Sequence, residues 1–346
     1  MKHQTTRYGE IPFYKIGTFG NTADAFISKK LFLEYKTKCS FPKKGDILIS
    51  ASGTIGRAVI YDGKPAYFQD SNIVWIDNDE TLVKNDFLFY AYSNIKWNTE
   101  HTTILRLYND NFRNTLIPLP PLNEQIAIAN ILSDLDRYLY SLDALILKKE
   151  GVKKALSFEL LSQRKRLKGF NQAWQKVRLG DIANYLTSNL SAEQITQQGK
   201  IKVYDVNNFI GYTDTTFISD KPYISIVKDG SVGRVRILPP KTNILSTMGA
   251  LIANHKTTTE FLFYLLSNFD FKNFTSGSII PHIYFKDYKE KTIFLPPLNE
   301  QIAIADILSA LDHEIASLKN KKSQFDNIKK ALNHDLMSTK IRVLKK

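Results

Sequence analysis

The sequence predicts an α+β protein in which two mixed α/β globules are joined and spaced by two long helices packed as an antiparallel coiled coil. The first observation behind this prediction is an internal repeat. LPPLNEQIAIANILSDLD at 119–136 recurs as LPPLNEQIAIADILSALD at 295–312, with 16 of 18 positions identical at an offset of 176 residues. Because this offset far exceeds the period of a solenoid, the chain is interpreted as two copies of one large unit.

Composition divides each copy into a globule and a helical segment. All 12 prolines and 14 of the 16 glycines lie in residues 1–121 and 174–297, so only the remaining segments can sustain long helices. We therefore predict globules at 1–121 and 171–297 and helices at 122–170 and 298–346. Short strands are expected at KGDILISAS, GRAVIY, GRVRIL and KTIFL, and short helices at NDFLFYAYSNI and TTEFLFYLLSNF.

The two helical segments carry a heptad repeat. Apolar residues recur at alternating steps of three and four, which is typical of a coiled-coil seam, and pairing the two helices would bury both seams. Asn123 and Asn299 follow paired prolines and are the expected N-caps. The seam positions are Leu132, Leu135, Leu139, Leu142, Ile146, Lys149, Lys153, Leu156 and Leu160, and Leu308, Leu311, Ile315, Leu318, Lys322, Phe325, Lys329, Leu332 and Leu336.

Charge and cysteine content narrow the functional classes. Lys and Arg number 47 against 34 Asp and Glu, a net charge of +13 that favours a polyanionic partner. The single cysteine, Cys39, cannot form an internal disulfide, and no apolar run of the length of a signal peptide or a membrane span occurs. We therefore expect a cytoplasmic protein.

Common catalytic motifs are absent from the sequence. There is no P-loop and no dinucleotide-binding glycine motif, and no proline pair forms the Asn/Asp-Pro-Pro-aromatic loop of amino-methyltransferases. The six histidines are scattered without the spacing of metal ligands. This pattern favours a binding protein over an enzyme, and no metal site is expected.

Two glycine turns are the candidate binding sites. Gly53 and Gly56 in the first copy, and Gly230 and Gly233 in the second, allow tight turns that present backbone, hydroxyl and arginine groups to phosphates or base edges. The alternative interpretation is an ordinary hairpin with a solvated arginine.

The predicted nucleic-acid contacts come from these turns and from two later polar segments, Thr102 to Arg106 and Thr275 to His282. They are Lys43, Lys44, Ser52, Thr54, Arg57, Arg106, Lys228, Ser231, Arg234, Arg236, Ser276, Ser278 and His282.

Two motifs point to a known family. LPPLNEQ occurs twice, each time ahead of a long helix, and the second globule opens with WQKVRLGDI at 174–182. The chain thus alternates globule, LPPLNEQ motif and long helix twice. With this order of segments, and over almost its whole length, the sequence resembles the specificity subunit of type I restriction–modification systems. The resemblance implies that the globules are two target-recognition domains, each reading half of a bipartite double-stranded DNA sequence. It also implies that the chain is a non-catalytic DNA-binding subunit.

The resemblance further implies the partners. The helices would dock two modification (methyltransferase) subunits, and restriction (endonuclease/translocase) subunits would join the complex. S-adenosylmethionine, ATP and Mg would be bound by those partners, with no cofactor in this chain and no membrane contact. The residues expected to dock the partner subunits are Asn123, Glu124, Gln125, Asn299, Glu300 and Gln301.

The start of the first globule departs from the pattern of this family. GEIPFYKIGTFGN at 9–21 resembles GKIKVYDVNNFIGY at 199–212, so the first globule has no counterpart of residues 174–198. We expect the first recognition domain to be N-terminally short, as a truncated or rearranged copy or an incomplete reading of a longer gene.

The sequence leaves three functional classes open. The first is a DNA-reading, non-catalytic specificity subunit. The second is a nuclease or methyltransferase in its own right. The third is a coiled-coil adaptor, or an inactive truncated or rearranged copy without its own DNA specificity.

Overall fold

The computed structural model describes residues 4–68, 72–97 and 106–344. The chain forms two compact units, unit 1 from residues 1–143 and 320–346, and unit 2 from residues 144–319. The sequence predicted four segments, with the globules separate from the helices. In the structure, each compact unit instead contains one globule together with parts of both long helices. Of the polar segment Thr102 to Arg106, only Arg106 lies within the described residues.

Unit 1 contains two three-stranded sheets. Its elements are β1 (Ile11–Tyr14), β2 (Phe26–Ile27), α1 (Lys29–Lys38), β3 (Ile47–Ser50), β4 (Ala58–Ile60), β5 (Tyr67–Phe68), β6 (Ile73–Trp75), α2 (Asn85–Tyr92), α3 (Asn109–Arg113), the first part of α4 (Leu122–Leu161) and the last part of α7 (Leu298–Met337). The first sheet has the order β2-β1-β5, with β1 antiparallel to β2 and parallel to β5. The second has the order β4-β3-β6 and is antiparallel throughout.

Unit 2 repeats both sheets with one strand added. Its elements are the rest of α4, then β7 (Gln175–Arg178), β8 (Ala183–Thr187), β9 (Ile201–Tyr204), β10 (Phe209–Thr213), β11 (Tyr223–Val227), β12 (Val235–Leu238), β13 (Thr242–Ile244), β14 (Met248–Ala253), α5 (Thr259–Ser267), β15 (Thr275–Ser276), β16 (His282–Ile283), α6 (Phe285–Tyr288), β17 (Thr292–Leu295) and the first part of α7 (Leu298–Met337). The sheet β10-β9-β13 has the pairing directions of β2-β1-β5, and β12-β11-β14-β8 extends the pattern of β4-β3-β6. Two-stranded pairs β17-β7 and β15-β16 complete the unit. The shared topology confirms that the chain is built from two copies, and the predicted strands and short helices are confirmed as β3, β4, β12, β17, α2 and α5.

The added strand β8 lies in the segment 174–198, for which the first globule has no counterpart in sequence. In unit 2, β8 covers the outer edge of β14, and its neighbours Leu179 and Ile182 are fully buried in the core. In unit 1, no strand of the described residues pairs with the outer edge of β6. Two cavities of about 170 and 200 Å³, both lined by Ile76 and Phe112, lie beside the β4-β3-β6 sheet.

The two long helices begin and end at equivalent residues. Each has 40 residues, and each starts one residue before the asparagine that was expected as its N-cap. Asn123 and Asn299 therefore lie inside the first turn, where each side chain accepts a hydrogen bond from the next backbone N–H at 2.9 and 3.0 Å. Both helices end earlier than predicted, because Gln163 and Thr339 adopt left-handed φ angles of +63° and +59° and turn the chain back. Within the described ranges, no helix combines the length and the apolarity that a membrane span requires.

Within each unit the two helices run antiparallel. In unit 1, Asp136 of α4 pairs with Lys329 of α7, and Asp143, seven residues later on α4, pairs with Lys322, seven residues earlier on α7. In unit 2, Lys149 and Lys153 of α4 pair with Glu314 and Asp312 of α7. The four lysines at seam positions, Lys149, Lys153, Lys322 and Lys329, each pair with a carboxylate of the other helix. Among the buried seam residues are Leu132, Leu139, Leu142, Ile146, Leu160, Leu308, Ile315 and Leu336.

Candidate nucleic-acid interface

In unit 1 the β3–β4 hairpin closes in a tight turn. The N–H of Ser50 donates to the carbonyl of Arg57 at 3.0 Å, and the N–H of Gly56 donates to the carbonyl of Ser50 at 2.9 Å. Gly53 and Gly56 have φ angles of +66° and +82°, in the left-handed region that glycine adopts without strain. The predicted glycine turn therefore forms.

Unit 2 builds the same turn between β11 and β12. The N–H of Val227 donates to the carbonyl of Arg234, and the N–H of Gly233 donates to the carbonyl of Val227, both at 2.9 Å. Gly230 and Gly233 have φ angles of +83° and +79°. The two turns are thus equivalent in hydrogen bonding and in backbone conformation.

The second glycine of each turn lies against an aromatic ring of the same chain. A Cβ atom on Gly56 would approach Trp97 to 2.3 Å, and one on Gly233 would approach Phe271 to 2.6 Å. Around Gly230, by contrast, no atom lies within 4 Å of that position. The close approach expected at both glycines is thus made internally at the second one. Of the two first glycines, Gly230 faces open space, whereas a Cβ atom on Gly53 would lie 3.5 Å from Cγ1 of Ile16.

A later segment of each globule returns to the turn and forms an isolated antiparallel bridge with it. Ser52 bridges Arg106 in unit 1, and Asp229 bridges His282 in unit 2. In unit 2 the side chains also meet, with His282 Nδ1 2.6 Å from Asp229 Oδ1. His282 lies opposite Ser276 in the β15–β16 hairpin. The structure therefore brings together one predicted set, Ser52 with Arg106, and another, Ser276 with His282.

A tyrosine stands beside each bridged side chain. The guanidinium carbon of Arg106 lies 5.8 Å from the centre of the Tyr108 ring, and the His282 ring stacks on Tyr284 with centroids 6.4 Å apart at 22°. The tyrosines are 41% and 48% exposed. Sequence reasoning missed both tyrosines and Asp229, although the tyrosines are separated by the same 176-residue offset as the LPPLNEQ motifs.

The remaining predicted contacts divide into exposed and internally bonded groups. Thr54, Ser231, Arg234 and Ser278 are exposed on the turns or in the hairpin loop, and Lys228, at the base of the second turn, is half-buried.

Two of the predicted arginines hold neighbouring loops. Arg57 donates from Nη1 to the carbonyl of Phe19 at 3.0 Å. Arg236 donates from Nη1 to the carbonyl of Asn207 at 3.0 Å and lies over the Tyr204 ring.

Two predicted lysines lie away from the turn. Lys43 and Lys44 precede β3, whereas the turn follows it, and a four-residue strand spans roughly 13 Å. Lys43 Nζ forms an exposed ion pair with Asp77 at 2.9 Å. The structure therefore does not bring these lysines together with the glycine turn.

The residues expected to dock partner subunits fall into two groups. Asn123 and Asn299 are exposed, whereas the glutamate and glutamine that follow each of them are buried. Glu300 accepts hydrogen bonds from Arg166 Nε at 2.8 Å and from Trp174 Nε1 at 2.9 Å. This glutamate is thus bonded within unit 2, and Trp174 is the first residue of the WQKVRLGDI motif.

Each buried glutamine joins its long helix to the loop ahead of a short helix. Gln301 Nε2 donates to the carbonyls of Lys256 and Pro296, and its Oε1 accepts from Thr257 Oγ1 at 2.8 Å. Gln125 does the same with the carbonyls of Leu82 and Pro120. Docking of partners through the six predicted residues remains a prediction, for which the asparagines are the exposed members.

A tyrosine–aspartate–lysine contact fixes each globule on the helix pair. Tyr264 OH donates to Asp312 Oδ2 at 2.9 Å, and Lys153 pairs with the other oxygen of that carboxylate. In unit 1 Tyr90 OH donates to Asp136 at 2.8 Å, and Lys329 completes the set. Burial, reinforced by the adjacent carboxylate, raises the pKa of both tyrosines above the ordinary value. The phenols therefore stay protonated and donate to the two carboxylates.

Comparison with known proteins gives the family. The chain matches the family described as "Type I restriction modification DNA specificity domain" over residues 1–149 and 171–326. It is 64% identical over 133 residues to a putative type I restriction enzyme specificity subunit, S.HindORF215P, of Haemophilus influenzae, a match that covers 38% of this chain and 34% of that protein. The chain therefore spans about a third of that relative's length.

A second relative matches over most of both chains. The putative type I restriction enzyme MjaX specificity subunit of Methanocaldococcus jannaschii is 29% identical over 335 residues, covering 86% of this chain and 79% of the relative. The MjaVIII specificity subunit of the same organism is 25% identical over 362 residues, covering 92% and 84%.

Solved structures share the fold. The type I restriction-modification S subunit of M. genitalium superposes with a TM-score of 0.65 at 21% identity, over 97% of this chain and 91% of that one. A chain from a study of assembly and conformational transition of the type I R-M system gives a TM-score of 0.53 at 16% identity, over 85% and 82%. With the doubled LPPLNEQ motif, the repeated sheets and the family match over both copies, the chain belongs to the type I restriction modification DNA specificity domain family.

Proposed function

We propose that this chain is the DNA-binding specificity subunit of a type I restriction–modification complex. Each unit reads one half of a bipartite double-stranded DNA target. The single observation that carries this proposal is the duplicated bridge at the glycine turn, Ser52 with Arg106 and Asp229 with His282. Two equivalent sites, each with an exposed aromatic ring beside a basic side chain, suit two separate half-sequences. The net charge of +13 supports a polyanionic ligand.

The chain has no catalytic role of its own in this complex. Two modification subunits and the restriction subunits supply methylation and ATP-dependent cleavage, and S-adenosylmethionine, ATP and Mg bind to those partners. Within the described residues, no three His, Cys, Asp or Glu side chains are grouped to hold a metal ion. The alternative, a coiled-coil adaptor without DNA specificity, gives no function to the two partly exposed glycine turns and their bridges.

The test is the methylated motif that the chain directs. The chain is expressed with its modification partner in a host without other methylation, and genomic DNA is read by methylation-sensitive sequencing. A bipartite motif with an unread spacer is expected. Methylation without a bipartite motif, or duplex binding by the complex that is equal for all sequences, would contradict the proposal.

A further inference from the structure

The bridged position is the same place in both units, but it carries different chemistry. The N–H of the residue after Arg106 donates to the backbone carbonyl before Ser52 at 2.8 Å, and the N–H after His282 donates to the carbonyl before Asp229 at 2.9 Å. Backbone geometry is therefore shared. The side chains are not: arginine faces serine in unit 1, and histidine faces aspartate in unit 2.

In unit 1 the side chain at this position can only donate hydrogen bonds. The guanidinium of Arg106 is paired with the ring of Tyr108, which limits its rotamers before any ligand arrives. A planar group with paired N–H donors matches the O6 and N7 acceptors of guanine in the major groove. This position in unit 1 therefore suits a guanine.

In unit 2 the side chain is a ring with one nitrogen already committed. His282 Nδ1 is bonded to the carboxylate of Asp229, so Nε2 is the nitrogen left for a ligand. The ring stacks on Tyr284 and is 35% exposed. A single nitrogen on a fixed ring makes a one-point contact with a base edge, unlike the two-point contact that an arginine makes.

We propose that Arg106 and His282 are equivalent base-reading residues, one for each half-site. Asp229 is a positioning residue that sets which nitrogen of His282 faces the DNA. This inference rests on the proposed function and extends it, because it assigns a specificity determinant to each half-site and makes the two determinants exchangeable.

The test exchanges the two pairs. The S52D/R106H variant gives unit 1 the pair of unit 2, and the D229S/H282R variant gives unit 2 the pair of unit 1. Each variant is expressed with the modification partner, and its methylated motif is sequenced. We expect one base pair of one half-site to change in each variant, by about tenfold or more in preference, while the other half-site is unchanged.

Matched controls separate base reading from charge. R113H in unit 1 and H255R in unit 2 make the same changes at exposed residues away from the bridge and should leave both half-sites unchanged. R106K keeps the charge but loses the planar fork, so it should relax the preference for guanine at one position and leave non-specific binding intact. This single variant keeps the proposal testable if the double variant fails to fold.

The role of Asp229 is tested by two substitutions. D229N retains an oxygen that accepts from His282 Nδ1 and should preserve the base preference, whereas D229A removes the acceptor and should relax it. A purely structural role would lower the binding of all sequences equally in both variants. If the wild-type chain yields no bipartite motif, the proposed function fails. If it yields one and the exchange variants leave that motif unchanged, only this inference fails.

Discussion

Arg342 donates from Nε to Oε1 of Glu124 at 2.6 Å, across 218 residues of sequence. The glutamate side chain is 3% exposed and lies in the first turn of α4, while the arginine lies just beyond the end of α7. Arg166, just beyond the end of α4, contacts Glu300 in the first turn of α7 in the same way. Each unit therefore ties the start of one helix to the residues that follow the other.

Removing the buried glutamate of unit 2 should destabilise that unit strongly. E300A leaves Arg166 and the indole N–H of Trp174 without their acceptor, and we expect a loss of about 2–4 kcal/mol in the free energy of unfolding. Urea denaturation measures it. The exposed control E193A should change the midpoint little, and an equal effect of both variants would contradict the importance of the buried contact.

The stability contributed by Glu124 should depend on pH. Its hydrogen bonds from Arg342, with the Coulombic attraction of that arginine, hold the pKa of Glu124 below the ordinary value of 4.5. A lowered folded-state pKa gives stability that is present above 4.5 and is lost as the pH falls through the folded value. E124Q cannot titrate, so the difference in unfolding midpoint between wild type and E124Q should shrink from pH 6 to pH 3. A constant difference across that range would be inconsistent with this account.

The two glycines of the second turn should respond differently to alanine. Both have positive φ, but only a Cβ at position 233 meets the ring of Phe271. G230A should cost about 1 kcal/mol through backbone strain alone, and G233A should cost at least about 2 kcal/mol because steric overlap is added. Thermal unfolding of the two variants makes the comparison, and equal losses would rule out the contribution of the ring.

Two tyrosines of α2 should show opposite effects on truncation to phenylalanine. The buried hydroxyl of Tyr92 makes no hydrogen bond to the described residues, whereas Tyr90 OH donates to Asp136. Y92F should stabilise unit 1 by about 1 kcal/mol, and Y90F should destabilise it by about 1 kcal/mol. Chemical denaturation tests both, and a loss of stability in Y92F would indicate that the hydroxyl has a partner.

The arginines of the two turns should differ in what they contribute to DNA binding. Arg234 is exposed, so R234A should weaken or relax one half-site with little change in stability, by about 1–3 kcal/mol if it reads a base. R57A should also lower the stability of unit 1, because Arg57 bonds to the carbonyl of Phe19. Binding to matched and mismatched duplexes, with unfolding curves in parallel, separates these effects. A uniform loss on all sequences with a reduced salt slope would make Arg234 a phosphate contact.

Local patterns in the sequence predicted the helices and strands, whereas the candidate DNA-binding site depends on pairing between residues that are far apart in the chain. The helices α2 and α5, the strands around the turns and the leucine seam follow from patterns that span a few residues. The bridge from Ser52 to Arg106 joins residues far apart in the chain, and no local pattern encodes it. The helices end at residues 161 and 337, earlier than predicted, because Gln163 and Thr339 adopt left-handed backbone conformations that neither residue type signals in the sequence.

Unit 1 is built from two separate stretches of the chain, and this affects the order in which the protein folds during synthesis. All of unit 2 lies in residues 144–319, whereas unit 1 joins residues 1–143 to residues 320–346. A ribosome therefore synthesises all of unit 2 before it makes residues 320–337, the part of α7 that belongs to unit 1. Until those residues emerge, Leu132 packs only on α2 and lacks its contacts with Leu336 and Met337, which complete its buried cluster. The first unit to be translated is thus the last to be completed, and its exposed seam is where a nascent chain would first need protection from aggregation.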